Sequence, residues 1–393
     1  MPTPRPRMTG EERRRRIAVR HHLAPEARAG TVEQVAGALT ALHGTDPATV
    51  HLAAGARLAG AAGDPVAAME RAPYEDRTLV RMHAMRHTLF VVPTALAPVV
   101  QSSTTDAVAA RERATLIKQL KAGSSLDEAW LADVEKSALA ALERRGESTA
   151  AELAQDEPRL REQFLYGPGT RYEQPQTVAT RLLRLLGTEG KVVRGRPLGS
   201  WTSSRFRWAI APALPALAPA EAQAALVRRW LASYGPATEA DLAWWSGWKV
   251  TDVRKALSAV EAVETDLDEG ATGYVLPGDT GPAGEPAPWA AFLPALDPTP
   301  MGWQQRDWYL DPGHRAELFD RSGNIGPTVW WNGRIIGGWA QRPDGEPVWR
   351  LLTDPGSEAV KAVKAEASRL HARLAGTRVT PRFRTPLERS LSA

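Results

Sequence analysis

One eight-residue pattern occurs twice in this chain and restricts its fold more than any other feature. Gly146-Glu147-Ser148-Thr149-Ala150-Ala151-Glu152-Leu153 and Gly235-Pro236-Ala237-Thr238-Glu239-Ala240-Asp241-Leu242 both read G-x-x-T-x-A-acid-L. A threonine followed three residues later by an acid is the mark of a capped helix start, and a glycine just before it suits the end of a preceding helix. Apolar spacing places those preceding helices at residues 131–144 and 221–233, and further helices at residues 177–186 and 251–260. Both copies then run into β-compatible sequence. A repeated helix, turn, helix followed by strands predicts a chain assembled from small similar units.

The N-terminal region reads the same way without the octet. Thr31 opens a helical stretch over residues 32–42, with Val32, Val35, Leu39 and Leu42 on one face. The turn His43-Gly44-Thr45-Asp46-Pro47 then offers a cap and a proline suited to a first helical position, predicting a helix over residues 47–58. The run Thr88-Leu89-Phe90-Val91-Val92, after Arg77, Arg81 and Arg86, predicts a strand returning beside it as a wing. Beyond the Gly- and Pro-rich residues 277–288, the segment from Thr328 to Ile336 carries the Asn332-Gly333 hairpin signal. Strands continue to Trp349, a closing helix is predicted over residues 358–374, and Arg378, Arg382, Arg384 and Arg389 form a basic tail. The expected fold class is α+β, with tandem winged-helix units followed by a small β-barrel-like C-terminal domain. The expected boundaries are residues 1–125, 126–212, 213–277 and 286–393.

Charge bears on the partner. Lys and Arg number 49 against 45 Asp and Glu, so an anion must be met by local clusters rather than by the net charge of +4. Helix-turn-helix units with basic flanks predict double-stranded DNA as the partner. The candidate contacts are Arg13 and Arg16 in the N-terminal arm, Thr49 and His51 on the helix over residues 47–58, Arg81 and Arg86 near the first wing, and Lys191, Arg194, Arg196, Arg205 and Arg207 in the second. In that second wing the cations alternate with Trp201, Phe206 and Trp208, which either stack on bases or pack inward. The helix over residues 47–58 offers only Thr49, His51 and Arg57 among small apolar residues, a surface suited to shape or lesion recognition more than to base readout.

Other chemistries lack residues. There is no cysteine, which removes disulfides, thiolate metal sites and thiol nucleophiles and fits a cytoplasmic setting. No apolar run reaches the roughly 20 residues of a membrane span, and no secretory leader is read. Phosphate-binding and dinucleotide glycine loops are absent from the sequence, so no cofactor is expected. His83 and His87, four apart in a presumed strand, fall two pleats apart and predict no metal site. Because one chain already supplies several DNA-binding units, a monomer is expected.

The His43 to Asp46 turn, the Arg86-His87-Thr88-Leu89-Phe90 strand, Leu296-Asp297-Pro298 before Arg306, and Gly326-Pro327-Thr328-Val329 leading to Gly337-Gly338-Trp339 together resemble the winged-helix family of the AlkZ and YcaQ DNA glycosylases. The resemblance covers nearly the whole chain. It implies tandem winged helices and a β-barrel around a DNA channel, and excision of bulky alkylated bases or unhooking of interstrand crosslinks. The family's catalytic signature is Gln, any residue, then Gln or Asp, at positions matching His43 and Thr45. Its Arg-Gly-Thr-Leu-His strand becomes Arg86 to Phe90. Both signature side chains differ here, as does the last residue of the strand.

An N-alkylated purine is already cationic and leaves readily, so the reaction needs an aimed water and a steadied oxocarbenium-like sugar. His43 is expected to take the proton of that water or to hydrogen-bond it, Thr45 to orient it and Asp46 to offset the sugar charge. Against this stand ordinary structural roles: Asp46 as the cap before Pro47, Thr45 as a turn residue, His43 as a helix end. Asp297 is a further candidate anion that reads as a turn residue. The two functions to separate are a monofunctional DNA glycosylase-like repair protein and a non-catalytic winged-helix DNA-binding protein or regulator.

Overall fold

The structure is a computed structural model and describes residues 5–60, 63–268 and 270–393. Both octets fold as their side chains dictate. Thr149 Oγ accepts from Glu152 N at 3.2 Å while the Glu152 carboxylate accepts from Thr149 N at 2.8 Å, opening the helix Ala150–Asp156. Thr238 and Asp241 repeat the exchange at 3.1 and 3.0 Å, opening Glu239–Ser246. Each helix start thereby satisfies donors that would otherwise be left unpaired.

Around these caps one order of elements recurs three times. In the second copy, helix Glu128–Arg145 leads to the short strand Glu147–Ser148, the capped helix Ala150–Asp156, helix Val178–Thr188, and the hairpin Val192–Pro197 with Phe206–Ile210. The sheet order is short strand, second hairpin strand, first hairpin strand. The third copy has helices Pro219–Tyr234, Glu239–Ser246 and Val250–Ala259 and the hairpin Val263–Leu267 with Thr272–Val275. Its short strand is reduced to Ala237 bridging Tyr274. The first copy has no octet yet the same order: Val32–Ala38, Leu42–His43, Pro47–Gly55, Pro65–Tyr74, then Leu79–His83 with Leu89–Pro93, again with the short strand beside the second hairpin strand.

That order corrects the N-terminal reading. The helix expected over residues 32–42 stops at Ala38, because Thr40 takes a φ of 62° and Leu42 is already in a strand. Pro47–Gly55 ends three residues early and is the middle helix of its copy. The last helix, Pro65–Tyr74, was not anticipated, although Asp64 caps it by accepting from Val66 N at 2.9 Å, the same Asp-Pro start as Asp46-Pro47. The arm is folded back as well. Arg7–Met8 pairs in parallel with Asp266 and Leu267.

The C-terminal strands Ala290–Leu293, Thr328–Trp331, Arg334–Gln341 and Pro347–Leu351 form one antiparallel sheet in sequence order. It stays open instead of closing into the barrel-like form expected, its faces and edges being met by the helices Ser357–Leu374 and Pro386–Leu391. The Asn332-Gly333 turn is as predicted, with φ of 44° and 80°, the pair of positive values that a two-residue hairpin of this hand requires.

The molecule is therefore a mixed α+β protein, and it divides into two compact units. One comprises residues 1–80, 90–94 and 223–393, the other residues 81–89 and 95–222. The first unit holds a chain of ring contacts, Trp230 to Tyr234 at 5.5 Å, Tyr234 to Trp303 at 5.1 Å, Trp303 to Trp308 at 5.0 Å and Tyr309 to Trp330 at 5.5 Å, which accounts for much of the tryptophan content. The second is built on Leu120, Val134, Leu153, Leu182, Leu186 and Trp208. Among the described residues no helix is long and apolar enough to cross a membrane.

Candidate active site

The turn His43 to Asp46 joins a strand to a helix, and each neighbour fixes part of it. Leu42 and His43 pair antiparallel with Val91 and Phe90, so the His43 imidazole lies across the sheet from the Phe90 ring, 5.1 Å between centroids and edge to face. His43 is 6 % exposed. Thr45 is the one residue from Ala41 to Val50 that is not fully buried. It is the least buried residue of this turn.

Asp46 is committed on both oxygens. Oδ1 accepts from Ala48 N at 3.1 Å, capping Pro47–Gly55, and Oδ2 accepts from Arg382 N at 3.0 Å. The carboxylate is thus a cap and a clamp, and it keeps its charge and a further lone pair on each oxygen.

The helix behind the turn is embedded in its unit. Every residue of Pro47–Gly55 except Leu52 is buried. Thr49 donates to the Ala295 carbonyl at 2.8 Å, and the His51 ring lies 3.1 Å from the Pro47 carbonyl. Thr49 and His51, expected to face DNA, are interior residues of this unit because the helix start packs against Ala295, Trp339 and Val379. A small apolar cavity at the helix start, lined by Asp46, Thr49, Leu52, Ala295, Trp339 and Val379, holds about 10 Å³. That is room for about one water and far too little for a nucleobase.

Past the other end of the helix lies a network the sequence did not reveal. Arg57 and Asp297, both wholly buried, form a two-pronged pair at 2.7 and 2.8 Å. Arg57 also donates to Thr299 Oγ1 at 2.8 Å and to the His21 carbonyl at 3.0 Å. Thr299 Oγ1 lies 2.8 Å from His21 Nδ1, and His21 Nε2 lies 3.1 Å from the Ser233 carbonyl. The carbonyl can only accept, so Nε2 carries the proton and Nδ1 accepts from the threonine. Burial, reinforced by Arg57, holds His21 well below its ordinary pKa and hence neutral. Asp297 does make a turn, accepting from Thr299 N at 2.9 Å, but its chief work is to neutralise Arg57. A Leu-Asp-Pro segment alone gave no sign of which cation it would meet.

The basic candidates divide sharply. In the first unit, Arg13 is buried with its guanidinium 3.9 Å over the Trp308 ring, and Arg16 is buried against Glu12 and Asp279 at 2.8 and 3.0 Å. Both are interior residues. In the second unit, Arg81 is buried and Arg86 half-buried with a φ of 51°. Lys191 is paired with Glu135 and Glu189, and Arg207 with Glu152 at 2.9 Å. Arg194 stacks 4.3 Å from the Phe206 centroid, while Trp208 is buried in the core, which decides for inward packing at that residue. Arg196 and Arg205 remain exposed on the hairpin.

His83 and His87 do not fall two pleats apart. The strand ends at His83, the chain turns through Arg86 and His87 at positive φ, and the two rings come within 5.7 Å. His87 meets Glu112 at 2.9 Å, and His83 Nδ1 lies 3.1 Å from Thr188 Oγ1. Burial, with Arg194, His87 and Arg184 nearby, lowers His83 to a pKa of about 3.

The family described as DNA glycosylase AlkZ-like matches residues 36–373 of the chain. Among solved structures, the fold is similar to Streptomyces sahachiroi DNA glycosylase AlkZ, with a TM-score of 0.71 and 21% identity over 95% of this chain and 99% of that one. No curated protein matches the sequence.

Proposed function

The chain belongs to the AlkZ-like DNA glycosylase family and is a DNA glycosylase-like repair protein; from that premise we propose that it hydrolyses the N-glycosidic bond of bulky alkylated purines in duplex DNA at the His43 turn. The observation that carries the reading is the imidazole itself: a buried His43, braced edge-on by Phe90 across a strand pair, two residues before Thr45, the least buried residue of the turn. A group held this way is aimed before substrate arrives.

In the reaction the C1′–N9 bond of an N7-alkylated guanine breaks and its electron pair neutralises the cationic base. A water held by Thr45 adds its oxygen to C1′ and gives its proton to the His43 imidazole, leaving an abasic sugar and the free alkylated base. Asp46 positions the turn, accepting one backbone N–H on each oxygen, and its charge offsets the oxocarbenium-like sugar. The three recurring copies are read as winged helices, which supports keeping residues 1–125, 126–212 and 213–277 as functional modules beside the sheet domain of residues 286–393. Arg196, Arg205 and Arg194 serve as phosphate contacts of the second wing, with Lys191, Arg207, Arg81 and Arg86 supporting them. The protein acts on DNA in the cytoplasm as a monomer.

The test is excision from duplex carrying an N7-alkylguanine, with abasic sites revealed by base treatment. Wild type is expected to cleave, and His43→Ala to lose on the order of 100-fold in single-turnover rate. Absence of excision on several adducts, with duplex binding retained, favours the second reading: a non-catalytic DNA-binding protein. The structural work of Asp46, a helix cap and the acceptor for Arg382 N, speaks for that alternative because it gives the residue a role without chemistry.

A further inference from the structure

Between the capped helix and the last helix of the second copy the chain inserts a hairpin, Gln163–Tyr166 paired antiparallel with Gln174–Thr177. Its root is fixed. Phe164 is buried in the core of its unit, and the neighbouring helix end comes so close at Gly123 that a Cβ there would lie 2.1 Å from the Leu165 carbonyl oxygen. Its tip is fixed too. Thr170 donates from both N and Oγ1 to the Gly167 carbonyl at 3.0 and 2.8 Å, Tyr172 N donates to Thr170 Oγ1 at 3.2 Å, and the Glu173 carboxylate turns back to accept from Gly169 N at 2.7 Å. Yet this well-tied loop leaves Tyr172 59 % exposed and Leu165 41 % exposed. The Arg171 guanidinium lies 4.7 Å from the Tyr172 centroid and bonds its hydroxyl, and Arg181 sits 5.7 Å from the Tyr166 centroid.

A ring held outward on a tightly tied turn is ordered before any partner arrives, and a partner that covers it gains contact with a cation stacked on an aromatic plane. The tip from Gly167 to Glu173 carries the Arg171 guanidinium and the Glu173 carboxylate, the latter turned back onto Gly169 N while Arg171 lies on the Tyr172 ring. Gln163, Gln174 and Gln176 add amide donors and acceptors along the ribbon. A two-stranded ribbon with an aromatic tip and a cation beside it matches the requirements for entering a duplex and stacking on a base. We infer that the Tyr172 tip is a wedge that inserts at a weakened base step of duplex DNA, Tyr172 taking the place of a stacked base and Arg171 holding the adjacent phosphate. This rests on the DNA-repair reading above and specifies which part of the second unit senses a distorted duplex.

The test uses full-length protein, one fully paired duplex and one with a single central mismatch, with thermal melts confirming that the variants are folded. Wild type is expected to prefer the mismatched duplex. Tyr172→Ala should weaken that complex about tenfold and abolish the preference, Tyr172→Trp should retain it, and Arg171→Ala should lower the salt slope by about one. If Tyr172→Ala binds both duplexes as wild type does, the wedge is refuted and the tip serves a protein partner or none. Equal weakening on both duplexes with no rescue by Tyr172→Trp also refutes it. A wild type that binds neither duplex refutes the DNA-repair reading itself, and so is distinguishable from failure of the wedge alone.

Discussion

His43 and Phe90 are register partners on adjacent strands. In the family signature the places of these two residues hold a glutamine and a histidine, so this chain keeps one imidazole on the strand pair but moves it to the partner strand. A glutamine at position 43 can still hydrogen-bond a water, whereas alanine cannot. Glutamine cannot take the proton of that water, so His43→Gln is expected to recover only a small part of the activity lost in His43→Ala in the excision assay; near-wild-type excision by His43→Gln would show that the imidazole only orients the water. Asp46 makes a different forecast. Removing its carboxylate deletes a helix cap and the acceptor for Arg382 N, at a cost of about 2 kcal/mol in urea unfolding. A His43 variant should leave the unfolding midpoint nearly unchanged by comparison.

At the level of elements, the hairpin turn that brings His87 back beside His83 carries a pH signature. His83 titrates at about 3 in the folded protein, below its ordinary value of 6.5. Above pH 6.5 neither state binds the proton and stability does not depend on this group. As pH falls from 6.5 towards 3 the unfolded chain takes up a proton the folded chain refuses, so stability is lost as pH falls, by up to about 1.4 kcal/mol per unit. His21, held neutral in the first unit, adds loss in the same direction. The unfolding midpoint of His83→Asn should consequently depend less steeply on pH in that window than wild type; an unchanged slope would mean His83 is accessible to protons when folded. The element that the sequence hid, the hairpin over residues 163–177, escaped because Pro168, Gly169 and Pro175 make it read as a loop.

At the level of the whole molecule, DNA affinity should be set by a few exposed cations rather than by the excess of four positive charges. Arg196→Ala and Arg205→Ala, both on the exposed hairpin, are expected each to reduce the slope of log affinity against log salt by about one. Arg207→Ala should change it less, because Glu152 already neutralises that guanidinium. Fluorescence titrations at several salt concentrations decide between these. A larger effect from Arg207 than from Arg205 would show that DNA displaces Glu152 from that guanidinium.

What the sequence determined by itself was local. Thr149 with Glu152, Thr238 with Asp241, and Asp46 with Pro47 start helices because a side-chain oxygen three or fewer residues from an open N–H can satisfy it without help from the rest of the chain. Asn332-Gly333 makes its hairpin for an equally local reason, two residues that tolerate positive φ. The residues quoted for the family resemblance were also legible, since they occupy such local turns and strand ends. Tertiary structure decided everything that depends on which element covers which. It made Pro47–Gly55 a middle helix with Thr49 and His51 inside, it turned Arg13 and Arg16 inward, and it joined Arg57 to Asp297 across 240 residues. Burial and ion pairing are properties of surfaces brought together, and no periodicity within one helix specifies the partner that will remove its face from water.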